Sequence, residues 1–262
     1  MSLARPPLSA VIIAKNAVRQ LPECLESLAF FDEILVVDSG SMDGSVELAL
    51  ACGARVIEAE WRGFGPQKRY AVAQAAHDWV LCVDADERVS PELRSAIEQA
   101  LAAPANAAYR FPRRNRFLGR YLRHGEGYPD WTLRLFHRDH GNWSEDMVHE
   151  KVLTVGPVGR LSGDLLHESD TSIADYLDKQ NRYTSLQARA LYARGQRASV
   201  AKIALSPPLR FVKFYFLRLG FLDGIPGLAH IAIGCVNTFV KYAKLFELQR
   251  RAADQRPDAT EP

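Results

Sequence analysis

Two apolar runs in the first third of the chain each end in an aspartate. One is Ile34-Leu35-Val36-Val37-Asp38, followed by Ser39-Gly40-Ser41-Met42-Asp43-Gly44-Ser45. The other is Trp79-Val80-Leu81-Cys82-Val83-Asp84, followed by Ala85-Asp86-Glu87. A continuous apolar run of this length marks a strand buried on both faces of a parallel sheet. Ligands of open α/β sheets bind beyond the carboxyl ends of the strands, so both acidic clusters are predicted to line one crevice. Asp84, Asp86 and Glu87 are three carboxylates in close succession. Left alone they repel one another. A hard divalent cation, bound through oxygen and shared with substrate phosphates, would relieve that repulsion.

The surrounding pattern alternates strand and helix. Strands are predicted at Ala10–Ala14, Ile34–Val37, Arg55–Trp61 and Trp79–Asp84. Between them, helices are predicted around Leu21–Leu28, after Asp43-Gly44-Ser45, and over Gln67–Ala76. A fourth helix starts at Ser90-Pro91, with a good N-cap and proline at the first helical position. Such alternation predicts an α/β fold with a doubly wound, Rossmann-like sheet. After Pro104 the pattern changes to short strands at Ala108–Pro112, Leu133–His137, Val148–Val155 and Gly159–Leu165. Beyond Ser169, Ile173–Ala193 reads as a polar amphipathic helix. Pro207-Pro208 then introduces an aromatic, basic stretch, Phe211–Leu222, and an apolar one follows at Leu228–Val240. The tail from about Arg251 is polar.

Bulk properties narrow the class. With 262 residues, 47% of them hydrophobic, and a net charge of only +2, the chain is not marked as a nucleic-acid binder by bulk charge. Cys24, Cys52, Cys82 and Cys235 form no CxxC pair and read as reduced core residues of a cytoplasmic protein. Met1–Pro7 lacks a signal peptide's apolar region.

Asp84-Ala85-Asp86 is a DxD tripeptide. Such tripeptides are common by chance, but this one closes a buried strand after three strand–helix units. Together with Ala10–Asn16 and Val36–Ser45, in the same order and spacing, it resembles the GT-A glycosyltransferases of family 2. The likeness covers about residues 8–170. A closer likeness is to bacterial lipopolysaccharide core glycosyltransferases that add glucose to an inner-core heptose. It rests on Arg134-Leu135-Phe136, Val148-His149-Glu150, Tyr176–Tyr183 and Gly220-Phe221-Leu222-Asp223-Gly224.

The resemblance implies a GT-A catalytic domain over residues 1–170, with a nucleotide-sugar half (1–104) and an acceptor half (105–170). A helical extension follows over 171–250, then a flexible tail, 251–262. It implies an inverting, metal-dependent transfer from a UDP-sugar, with UDP-glucose as donor. Asp38, Gly65, Lys68, Arg69, Asp84 and Asp86 would bind the donor. Asp86 and His167 would hold Mg²⁺ or Mn²⁺. An inverting transferase needs a general base to deprotonate the acceptor hydroxyl. Glu150, Asp146 and Glu145 are the candidates, with Glu150 favoured.

Six arginines between Arg110 and Arg123 suit phosphate and carboxylate groups. Arg113, Arg114 and Arg116, with His149, are therefore predicted to meet a lipopolysaccharide core acceptor. Phe211–Val240 combines aromatics with Arg210, Lys213 and Arg218, and its apolar runs are too short to span a bilayer. It is predicted to lie in the interface of an anionic membrane, making the protein peripheral on the inner face of the cytoplasmic membrane. The alternative for this segment is packing within the chain or against a second copy, giving a homo-oligomer. Two other functions remain open: a family 2 transferase acting on another polysaccharide or lipid-linked acceptor, and an inactive sugar-nucleotide or membrane-binding module.

Overall fold

The computed structural model describes residues 5–146, 150–168 and 172–254. The apolar runs of the first half become strands β1 (Leu8–Ala14), β2 (Glu33–Asp38), β3 (Arg55–Glu58) and β4 (Trp79–Asp84). They pair in parallel in the order β3-β2-β1-β4. The third strand is shorter than predicted and ends at Glu58, so Ala59–Trp61 lies outside it. Helices α1 (Leu21–Ser27), α2 (Ser45–Ala51), α3 (Phe64–Gln74) and α4 (Pro91–Ala102) connect and cover the strands. Ser90 caps α4, accepting from Leu93 N at 3.2 Å.

Alternate residues of each strand enter opposite cores. Ile12, Val36, Leu81 and Val83 pack with Leu21 and Leu25 of α1 and with Leu93, Ile97 and Leu101 of α4. Val11, Leu35, Val37, Val80 and Cys82 pack with Ala71 and Val72 of α3. Burial on both faces is why these strands read as unbroken apolar runs. Of the four cysteines, Cys24 and Cys82 are buried as predicted, whereas Cys52 is exposed where α2 ends.

The second half extends and curls the sheet. It contributes β5 (Glu87–Val89), β6 (Ala108–Phe117), β7 (Arg120–Tyr121), β8 (Asp130–His137), β9 (Gly141–Trp143), β10 (Val152–Thr154), β11 (Val158–Arg160) and β12 (Leu165–His167). The path runs from β4 through β8, β6 and β12 to β5. Only Ala85 and Asp86 separate β4 from β5 in the chain. The strands between them must therefore curl round and bring β5 back beside β4. The run Gly159–Leu165, predicted as one strand, is broken into β11 and β12. Gly163 lies at φ +84°, and a Cβ there would collide with Leu93 N, a place no side chain could occupy.

The chain divides into two compact units, Met1–Asn115 with Pro129–Glu168 and Arg116–Tyr128 with Ser169–Pro262. The second unit contains α5 (Ile173–Ala193), α6 (Val200–Phe211), a π-helical turn (Val212–Leu217), a 3₁₀ turn (Gly220–Asp223) and α7 (Gly224–Asp254). Pro207 and Pro208 lie inside α6 rather than before it. Each lacks an N–H, and the regular α-pattern gives way to the π-turn shortly after them. Asp223 is fully buried and accepts from the backbone N–H of Arg123 (2.9 Å) and His124 (2.8 Å), tying the 116–128 segment to the 3₁₀ turn. Among the described residues no single helix is long and apolar enough to cross a membrane. Val200–Leu217 and Gly220–Ala252, bent by 75°, reach that length and composition only as a pair.

Candidate active site

The register of the parallel strands sets the site. Ala14, the last residue of β1, pairs with Asp38 on one side, and Ile13 pairs with Asp84 on the other. Neighbouring strands lie about 4.8 Å apart, so the two aspartates flank the carboxyl end of β1. From β1 the order runs outward in both directions, which is the switch point where ligands enter such sheets.

Asp38 is nearly fully buried and closes a tight turn. Its carboxylate accepts from the N–H of Gly40 (2.9 Å) and Ser41 (2.7 Å) and from the Ser41 hydroxyl. Gln67 of α3 donates to Ser39 next to it at 3.2 Å.

Asp84 is gripped by two cations. One oxygen lies 2.9 Å from Lys68 Nζ and the other 3.0 Å from Arg134. Burial works against its charge, but Arg134 and Lys68 outweigh burial and hold the carboxyl far below the ordinary aspartate range. Glu87 is fully buried. It accepts from Asp84 N–H at 2.9 Å and faces Arg113 (3.5 Å) and Arg134 (3.6 Å). These arginines and Lys68 neutralise Asp84 and Glu87, so relief of repulsion by a metal, argued from sequence, is not needed for those two. Asp86 is the member of the trio left to a different partner.

That partner is His167. Opposite Glu87 in the β12–β5 pairing, it brings Nε2 to 3.2 Å from an Asp86 oxygen. Asn115 Oδ1 lies 2.8 Å from Nδ1 and accepts the hydrogen bond of an Nδ1–H, which leaves Nε2 turned to Asp86. Burial disfavours the imidazolium, but the hydrogen bond and charge of Asp86 and the charge of Glu87 prevail and raise the His167 pKa. Among the described residues no group of three His, Cys, Asp or Glu side chains is placed to hold a metal. Asp86 and His167 are an oxygen and a nitrogen donor brought side by side, types that can ligate a divalent ion.

The three base candidates separate. Glu150 is largely buried and lies 2.9 Å from Lys68 Nζ, the same ammonium that holds Asp84. Asp146 and Glu145 are exposed, with Glu145 4.0 Å from Arg69. Arg69 also donates to the Trp143 carbonyl at 2.9 Å. Gly65 sits in the first turn of α3 against the 144–146 backbone and donates to the Asp146 carbonyl at 3.2 Å. A Cβ there would fall 2.5 Å from Asp146 O and closer still to Ser144 O. Its missing side chain thus serves a chain-to-chain approach.

The predicted acceptor arginines are partly engaged elsewhere. Arg113 pairs with Asp130 at 2.8 Å, and Arg114 pairs with Asp164. Arg116 belongs to the helical unit. His149 lies outside the described residues.

Arg134, Asn115 and Trp143 went unnoticed as site residues in the sequence. Arg134 is nearly fully buried, and burial is outweighed by Asp84 and Glu87 to keep it charged. The signal was a single charge inside the apolar run Leu133–Phe136, since a buried charge must be paired. The Trp143 ring carries Lys68 at 4.5 Å and Arg134 at 5.0 Å, and its Nε1 donates to Cys82 Sγ at 3.2 Å.

Residues 9–157 match the family described as Glycosyl transferase family 2. The chain is 33% identical over 260 residues, 96% of each chain, to the lipopolysaccharide core biosynthesis glycosyltransferase LpsC of Rhizobium meliloti. It is 30% identical to an uncharacterised glycosyltransferase of Rickettsia typhi, over 94% of this chain and 88% of the other. Among solved structures it is similar in fold to the mannosyltransferase PcManGT from Pyrobaculum calidifontis in complex with GDP-Man and Mn²⁺. The TM-score is 0.50 at 16% identity, covering 96% of this chain and 88% of the other.

Proposed function

This chain belongs to glycosyl transferase family 2, and we propose that it transfers glucose from UDP-glucose to a heptose of the lipopolysaccharide inner core. The near end-to-end similarity to LpsC supports the acceptor class. The observation that carries the chemistry is the meeting of Asp86 with His167 beside the Asp84–Lys68–Glu150 chain.

In this reading Asp38 and Asp84, their carboxylates already engaged, shape the walls of the nucleoside pocket at the end of β1. Lys68 and Arg69 lie toward the donor, and Gly65 lets α3 approach the 144–146 segment. Asp86 and His167 would hold a divalent ion, which when bound supplies charge neutralisation to the leaving diphosphate. Glu150, or else Asp146, takes the proton from the acceptor hydroxyl as its oxygen bonds to the anomeric carbon and the bond to UDP breaks. Inversion at that carbon follows from a single displacement. Arg113, Arg114 and Arg116 offer cations to a phosphorylated acceptor. The helical unit would hold the enzyme peripherally on the inner face of the cytoplasmic membrane.

UDP release, measured across a panel of UDP-sugars with a heptose-terminated core acceptor, tests the reading. The expected outcome is release that needs UDP-glucose, acceptor and Mg²⁺ or Mn²⁺. Release with a different sugar or acceptor would replace that part of the assignment. No release from any sugar nucleotide would leave an inactive binding module.

A further inference from the structure

Helices α6 and α7 carry exposed apolar stripes on one side and a polar cluster, beside buried Ile231 and Leu245, on the other. On α6 and the π-turn, Leu205, Leu209, Val212 and Phe216 follow helical spacing and are all exposed. On α7 the exposed stripe is Ile225, Leu228, Val236, Phe239 and Phe246. At 100° per residue, His230, Gly234, Asn237, Thr238 and Lys241 fall on the opposite side of α7. With α5 and Arg210 of α6, that side lines a cavity of about 280 Å³. Ordinary amphipathic helices of a globular protein turn such stripes toward the core.

The cavity is built around cations and donors. Arg210 is held there by Glu126, its Nε 3.0 Å from Oε2. Gly234 leaves room for this pair, since a Cβ would fall 2.5 Å from Glu126 Oε2 and 3.1 Å from Arg210 Nε. Lys241 has no carboxylate partner among the described residues, and its neighbours in charge are Arg210 and solvent. Burial and the Arg210 charge together push its ammonium below the ordinary lysine range. His230 Nδ1 is buried with no hydrogen-bond partner. Asn237 donates to Gln180 at 2.9 Å, which fixes both amides at the wall. Glu126 offsets one of the two cations, so one positive charge and an unused polar atom remain. A crowded ammonium is a cost that an anion with several acceptor oxygens would remove.

We propose that this cavity binds a phosphate group, either the head group of a membrane phospholipid or a free phosphate or small phosphorylated molecule. Lys241 supplies the charge, His230 and Arg210 supply donors, and the apolar outer stripes of α6 and α7 suit the acyl chains attached to a lipid head group. The site stands on the helical unit alone, so its failure would leave the donor-site reading intact.

The test titrates the full-length protein with inorganic phosphate, with glycerol 1-phosphate, and with phosphatidylcholine vesicles lacking or containing phosphatidic acid. Calorimetry follows the soluble probes and co-sedimentation the vesicles. Lys241→Gln is compared with Lys202→Gln, which removes the same charge from the exposed surface of α6. Saturable binding that falls about tenfold in Lys241→Gln, the weight of one charged hydrogen bond, and less than about twofold in Lys202→Gln supports the site. His230→Ala should weaken it in the same direction. Saturation by the soluble probes alone assigns the site to a free phosphorylated ligand. Saturation by phosphatidic acid vesicles alone assigns it to lipid. No saturable binding to any probe, or equal loss in Lys241→Gln and Lys202→Gln, overturns the proposal.

Discussion

His167 meets Asp86, Nε2 to carboxylate at 3.2 Å, because β12 runs beside β5 and sets His167 opposite Glu87. If these two side chains hold the ion as proposed, removing either leaves one ligand where two converge. Even partners that only touch a metal's ligands cost about 10–100-fold in affinity when lost. Asp86→Ala and His167→Ala should therefore weaken Mn²⁺-supported UDP-sugar binding by more than about 100-fold. UDP-sugar titration with and without Mn²⁺ checks this, and unchanged affinity in both variants would refute it.

Lys68 is shared between Asp84 and Glu150, so it couples the end of β4 to the base candidate. Lys68→Met strips a partner from a largely buried carboxylate and should cost about 3 kcal/mol, read from urea unfolding. Glu150→Gln should leave donor binding nearly intact while lowering kcat by about 10²–10⁴-fold, the scale of a lost general base. Should Glu150→Gln keep its kcat and Asp146→Asn lose it, Asp146 is the base.

Gly65→Ala puts a methyl into the backbone of Ser144 and Asp146. Neither carbonyl is a flexible side-chain end, so the chain must move. A loss of about 1–3 kcal/mol is expected, with a drop in kcat beyond what reduced stability explains, because the segment leads to Glu150. A variant with wild-type Tm would show that the segment has slack.

Glu33 supplies a pH test away from the site. Burial opposes its charge, yet the Ser9 hydroxyl (2.5 Å), the Ala76 N–H (2.6 Å) and Arg55 (2.9 Å) prevail and lower its pKa. A carboxylate depressed in the folded state adds stability above its unfolded pKa, about 4.3. It loses that contribution as pH falls through the folded value. Glu33→Gln should thus be less stable than wild type at pH 7, and the gap should close in acid. Thermal unfolding across pH measures it, and a gap that persists undiminished at the lowest pH contradicts the assignment.

Much of this architecture was legible because burial on both faces writes long apolar runs. The four parallel strands and their helices follow from those runs, and the aspartates at their ends flank the carboxyl end of β1. The strands missed were β5, β7 and β9, each two or three residues long and too short for any periodicity, and helix α6 was missed as well. The Asp86–His167 meeting depends on pairing between β5 and β12, which no local pattern encodes. Arg134 was hidden because a lone charge in a strand announces a partner without naming it. In the helical unit, Pro207 and Pro208 read as a boundary, yet α6 runs through them.

The exposed apolar stripes predict behaviour at lipid surfaces. Leu209→Ser with Phe216→Ser and Ile225→Ser should reduce co-sedimentation with anionic vesicles. The residual binding should be more salt-sensitive, since apolar burial is insensitive to salt and basic residues add about 1 kcal/mol each near such a surface. Wild-type protein that stays in the supernatant at low salt would show these stripes to be covered in another way.

Ala85 and Asp86 bridge β4 to β5 across the mouth of the curled sheet, and that junction has a consequence for how relatives can diverge. Other connections can lengthen, since doubling a surface loop costs only about 0.6 kcal/mol. A single residue inserted at 85–86 would instead swing Asp86 away from His167 or pull β5 out of register. Tolerance to insertion should therefore be lowest at this two-residue step, which makes its length, as much as its chemistry, a marker of a working enzyme.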